Sequence, residues 1–208
     1  ASTSTVHGSG YLEYILPTLS DFFKGVKTLL FIPYARPGGI SYNGYTEIAR
    51  KAFSSIGIAV KGIHEYESAN DAILSAEGIF TGGGNTFELV NQLYKNAIVE
   101  DLRDVISKGT PYLGTSAGSN ICGVTMMNTN DMPIVYPPSF DTLGIIPFNI
   151  NAHYLDPIKG STHMGESRAT RIKEYHVFNT TAVLGLREGS WLEVKDASIL
   201  LKGAYSAR

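Results

Sequence analysis

The sequence predicts an α/β fold, a mostly parallel open sheet with helices on both faces, and three observations carry that prediction. Short apolar, β-branched runs recur along the first half of the chain. Longer segments with helical periodicity lie between them, and strands separated by helices form parallel sheets covered on both sides. Composition is that of a packed domain: of 208 residues, 43% are hydrophobic and 17% charged, which excludes disorder as an overall description.

The first expected strand covers residues 29–32. In the helix expected over 42–53, Tyr45, Ile48, Ala49, Ala52 and Phe53 share one face at three-and-four spacing, and Gly57 supplies the stop. A strand at 58–60 leads to a short helix that Ser68 caps and that runs through residue 76. The strand at 78–80 precedes a helix marked by Phe87, Leu89, Val90 and Leu93, and Ile98, Leu102, Val105 and Ile106 mark the next, ended by Lys108 and Gly109. A strand follows at 112–113. Beyond Cys122, Pro133, Pro137, Pro138 and Pro147 break the pattern into loops and short strands. A helix is expected at about 166–175 and a strand at 183–186. No linker, charge run or repeat divides the chain, so residues 1–208 are expected to form one domain.

The charge balance, 17 Lys+Arg against 19 Asp+Glu for a net −2, contains no basic run able to neutralise a phosphate backbone, so nucleic acid is not an expected partner. The apolar runs fall far short of the roughly 18 residues a membrane helix needs, and residues 1–5 lack the plan of a signal peptide, so neither membrane nor secretion is expected. The single cysteine, Cys122, cannot close an internal disulfide, and the expected setting is the reduced cytoplasm, where the sequon at Asn179 goes unused. No His pair sits at metal-ligand spacing, and no Asp-rich loop is present, so no metal and no cofactor are expected.

The most informative stretch is Gly114-Thr115-Ser116-Ala117-Gly118, where an apolar strand meets an expected helix. Glycines two before and two after the serine let the backbone turn sharply and expose its hydroxyl, so Ser116 is a candidate nucleophile rather than part of a plain glycine turn. Gly82-Gly83-Gly84 also ends a strand, and its unobstructed N–H groups suit an oxyanion, the spacing fitting neither a dinucleotide fingerprint nor a P-loop. Among the histidines, His153 ends an apolar run as Ser116 does, His163 is the runner-up in a polar segment, and His7, His64 and His176 suit surface or helix-end roles. The acid that orients the base is either Glu188, at the end of an apolar strand, or Asp131, in a loop. Taken with Glu188, the order Ser, His, Glu departs from the Ser, acid, His order of α/β-hydrolases.

Gly82-Gly83-Gly84-Asn85-Thr86-Phe87, the serine elbow, Asn130-Asp131-Met132-Pro133-Ile134-Val135, Ile150-Asn151-Ala152-His153 and Leu186-Arg187-Glu188-Gly189-Ser190-Trp191 occur in an order that resembles the aspartyl dipeptidase (peptidase E) family over nearly the whole chain. The resemblance implies a flavodoxin-like fold similar to class I glutamine amidotransferases and hydrolysis of dipeptides with an N-terminal aspartate. It further implies a Ser116, His153 and Glu188 triad, an oxyanion hole at Gly83, Gly84 and Ala117, and substrate contacts from Asn85 and Asp131. Gly165-Glu166-Ser167-Arg168 is similar to the family's Gly-Glu-Thr-Arg, which makes Arg168 the residue that holds the aspartate carboxylate. Family members usually have an apolar strand before the segment that matches residues 1–10 and further residues after the point that matches Arg208, and the stretch between His153 and Arg168 is one residue longer than the family pattern. The expected partner is a small Asp-Xaa peptide, and a homodimer is the candidate assembly. The alternatives are a cyanophycinase-like serine peptidase, which would need acidic groups for arginines that this sequence does not cluster, and an inactive relative, which would break the triad positions.

Overall fold

The computed structural model describes residues 1–157, 160 and 165–208. Its centre is a four-stranded parallel sheet in the order β2-β1-β3-β4, formed by β1 (Thr28–Ile32), β2 (Ala59–Gly62), β3 (Ile79–Thr81) and β4 (Tyr112–Gly114). The register aligns Phe31 with Phe80 and Phe80 with Leu113. Residues 29–32 of β1 are all buried because successive side chains enter opposite layers. Leu30 and Ile32 join one core cluster with helices α3 (Ala69–Leu74), α4 (Thr86–Lys95) and α5 (Val99–Ser107). Leu29 and Phe31 join the other with α1 (Leu16–Phe22) and α2 (Tyr42–Ser54). Helices therefore cover both faces, as the alternating pattern predicts.

Local chemistry fixes the helix starts. Ser41, Ser68, Asn85 and Ser167 accept from the backbone N–H of Gly44, Asp71, Glu88 and Thr170, each satisfying a donor that the first turn leaves free. After β4 come α6 (Ala117–Asn120), β5 (Asn149–Ala152), α7 (Arg168–Phe178) and β6 (Val183–Leu186). β5 and β6 pair in parallel as a second sheet. β7 (Ser190–Lys195) and β8 (Ser198–Gly203) make an antiparallel hairpin. Ser2 lies between these parts, its N–H donating to the Ser190 carbonyl at 3.0 Å and its hydroxyl to the Leu186 carbonyl at 2.7 Å.

Three features differ from the sequence expectation. Helix α1 and the β7–β8 hairpin are additions: the stripe of buried Leu12, Ile15, Leu19 and Phe23 extends beyond both ends of the short α1, and most of the hairpin is exposed. Between Cys122 and Phe148 the chain is loop rather than loop with short strands; its only pairing among the described residues is the isolated bridge of Thr125 with Asp141. Helix α7 begins two residues later than expected, after its Ser167 cap.

Candidate active site

Ser116 stands between β4 and α6 with φ 52° and ψ −112°, a conformation that L-residues avoid and that points its side chain out of the turn. Both flanking glycines are required by packing. A Cβ on Gly114 would run into the Gly118 carbonyl, and one on Gly118 would run into the Thr81 carbonyl. His153 follows the end of β5, also at positive φ, 54°, and Glu188 follows the end of β6. All three side chains thus project from strand ends, the edge of an α/β sheet where ligands bind.

The three are hydrogen-bonded in series. His153 Nε2 is 2.8 Å from Ser116 Oγ, and Nδ1 is 2.6 Å from Glu188 Oε1. The tautomer that satisfies both carries the proton on Nδ1, donates it to the carboxylate and leaves Nε2 to accept from the serine. Asp131 takes no part in this relay. Its Oδ2 accepts from the Thr86 N–H at 2.7 Å, the Thr86 hydroxyl at 2.5 Å and the Thr129 hydroxyl at 3.2 Å. Of the other histidines, His64 meets Asn43 and His176 the Asn179 carbonyl, His7 is exposed, and His163 lies outside the described residues.

Gly83 backs directly onto the serine, since a Cβ there would lie 2.9 Å from Ser116 Cβ. Its carbonyl is engaged by the Tyr45 hydroxyl at 3.0 Å and Arg36 Nε at 3.4 Å. The N–H groups of Gly83, Gly84 and Ala117 donate to no acceptor among the described residues, whereas the next amide, Asn85, is spent on the Ala35 carbonyl. Gly84 has φ 146° and its α-carbon abuts the Ala35 carbonyl, so no side chain fits there.

A cavity of about 300 Å³ opens beside the relay, lined by Ser116 and His153 together with Asn120, Thr129, Asp131 and Arg168. Arg168 is the first residue of α7; burial and the neighbouring Arg171 lower its pKa from the ordinary arginine value, and Asp131 opposes them. Guanidinium remains charged throughout the physiological range. Among the described residues the cavity therefore offers one cation and one carboxylate beside a hydroxyl, imidazole and carboxylate relay. Asn85 does not line it. That side chain caps α4 through Oδ1 and donates from Nδ2 to the Met132 carbonyl at 2.8 Å, which ties down the loop that carries Asp131. Thr86, Thr129 and Asn120 are additions to the site that sequence reasoning missed. Asn120 sits one helical turn after Ser116, donates to both threonine hydroxyls and accepts the Ala152 N–H at 3.2 Å. Its i+4 spacing from the serine is the one signal that could have found it.

The sequence model of peptidase family S51 matches residues 1–202. Peptidase E of Streptomyces coelicolor is 46% identical over 207 residues, which cover 100% of this chain and 84% of that protein. A Drosophila melanogaster protein named "Probable alpha-aspartyl dipeptidase" is 43% identical over 210 residues, covering 100% of this chain and 86% of that protein. A crystal structure of a Listeria monocytogenes EGD-e protein gives a TM-score of 0.75 at 21% identity, covering 98% of this chain and 96% of that one; this likeness concerns the fold.

Proposed function

The chain belongs to peptidase family S51, and from that premise we propose that it is a serine-type α-aspartyl dipeptidase working through Ser116, His153 and Glu188. The observation that carries the residue assignment is the relay at 2.8 and 2.6 Å, opening onto a cavity that holds Arg168 and Asp131. Ser116 Oγ attacks the peptide carbonyl as His153 Nε2 takes its proton, and the imidazolium returns a proton to the leaving amine. Glu188 keeps the proton on Nδ1 and stabilises the imidazolium. Water then enters along the same relay and hydrolyses the aspartyl ester.

The N–H groups of Gly83 or Gly84 and of Ala117 would receive the developing oxyanion, each contributing about 3 kcal/mol to lowering the barrier. Arg168 would pair bidentately with the aspartate side chain, and a site built for that carboxylate rejects substrates lacking it. Asp131, of opposite charge, faces the substrate's free ammonium, with Asn85 holding its loop in place. A single domain, a cytoplasmic setting, a homodimeric assembly and the absence of nucleic-acid partners belong to the same proposal.

The test is release of aspartate from Asp-Leu beside Glu-Leu, Leu-Asp and N-acetyl-Asp-Leu, with Ser116→Ala as control. Turnover confined to Asp-Leu and lost in the variant is expected. Equal turnover of N-acetyl-Asp-Leu would remove the amine from the recognition scheme, and an active Ser116→Ala protein would remove the nucleophile.

A further inference from the structure

Ser116 and His153 are two of the few non-glycine residues with positive φ, at 52° and 54°, and such conformations persist only where the surroundings over-determine them. The backbone N–H of each is held by one of two consecutive residues at the edge of the four-stranded sheet. Ser116 N–H donates to the Ala1 carbonyl at 3.1 Å, and His153 N–H donates to the Ser2 hydroxyl at 2.9 Å. The same Ser2 hydroxyl donates to the Leu186 carbonyl at 2.7 Å, on the last residue of β6, two before Glu188. Ser2 is fully buried. Both hydrogen-bonding functions of the hydroxyl are thus used, one on the turn that carries the base and one on the strand that carries its acid.

We propose that Ser2 is a positioning residue that sets the His153 imidazole in line with Ser116 and Glu188. The inference rests on the assignment of those three as the catalytic relay. Its physical basis is that, among the described residues, the residue 1–2 segment bridges the elbow after β4 to the ends of β5 and β6 through the Ala1 and Ser2 hydrogen bonds, alongside the contacts of α6 with β4 and β5. A displacement of about 1 Å between nucleophile and base costs on the order of 10²-fold in rate.

Replacing Ser2 by alanine removes both bonds while leaving every group in the cavity intact. Ser2→Ala is expected to lower kcat for Asp-Leu by about 10- to 100-fold with KM little changed, and to shift or broaden the low-field proton resonance of His153 Nδ1–H. In a Ser116→Ala background the same change should have no further effect on the residual rate, because there is no nucleophile left to align. Ser2→Cys, which retains a weaker donor and acceptor, should recover part of kcat. Full kcat with an unshifted proton resonance in folded Ser2→Ala overturns the proposal, and so does loss of fold in both variants, which would make the hydroxyl a structural requirement. A Ser116→Ala protein as active as the parent would instead defeat the relay assignment beneath it.

Discussion

Glu188 and Asp131 carry the same functional group and are put to different uses by what each touches. The Glu188 carboxylate meets His153 Nδ1 at 2.6 Å, whereas Asp131 is bound by Thr86 and Thr129 and makes no hydrogen bond to the imidazole. Glu188→Gln presents an amide that can donate to Nδ1, which favours the wrong imidazole tautomer, so kcat should fall by about 10²- to 10⁴-fold with KM nearly unchanged. Asp131→Asn leaves the relay intact and removes a charge from the cavity, so its effect should appear chiefly as a raised KM for Asp-Leu. Steady-state kinetics of the two variants decide between them: a loss of kcat in Asp131→Asn with an active Glu188→Gln would exchange the two roles.

At the scale of elements, the turn from β4 into α6 depends on backbone approaches that allow no side chain. The Gly114 α-carbon faces the Gly118 carbonyl, so Gly114→Ala should cost about 3 kcal/mol in urea unfolding and displace the serine it precedes, with a matching loss of turnover. Gly109, at the end of α5 with φ 103° and open space around it, offers the contrast: alanine there pays only for conformation, about 1 kcal/mol, and should spare activity. Equal costs at the two positions would contradict the packing argument. This turn was legible in the sequence because its requirement is local, and the central strands were legible because burial on both faces leaves unbroken apolar runs such as residues 29–32. Helix α1 was not, although Leu12, Ile15, Leu19 and Phe23 are buried at three-and-four spacing, because only Leu19 of the four lies within the helix itself and the others flank it. The β7–β8 hairpin lacks both a buried face and the Asn-Gly or Asp-Gly turn that announces one, its turn being Asp196-Ala197. The roles of Thr86, Thr129 and Ser2 come from approaches across 43 residues or more in several of their bonds, which no local pattern encodes.

On the scale of the whole molecule, a relay whose members come from both sheets works only if the sheets hold a fixed relation. Within the second sheet, Asp156 ties the segment after His153 to the residue before Glu188: Arg187 donates to Asp156 from Nε at 2.8 Å and from Nη2 at 3.1 Å, and from Nη1 to the Ser206 carbonyl at 2.5 Å, while Arg208 Nη1 lies 3.6 Å from Asp156 Oδ1. The Arg187 hydrogen bonds hold the Asp156 carboxyl below its ordinary value. A carboxylate depressed in the folded state contributes stability that is present above its unfolded pKa, about 3.9, and is lost as pH falls through the lower folded value. Asp156→Asn should therefore lower the urea midpoint at pH 7 and at pH 5 alike, and the gap between variant and parent should close as the pH is taken toward 3. Asp156 is solvent-exposed and Arg187 partly so, and added salt should therefore shrink the same gap at neutral pH. A gap that persists unchanged at low pH would mean that Asp156 acts through packing rather than charge. A kcat for Asp156→Asn below that of the parent at pH 7, where the gap is open, would make this pair a second fastening of the relay's geometry.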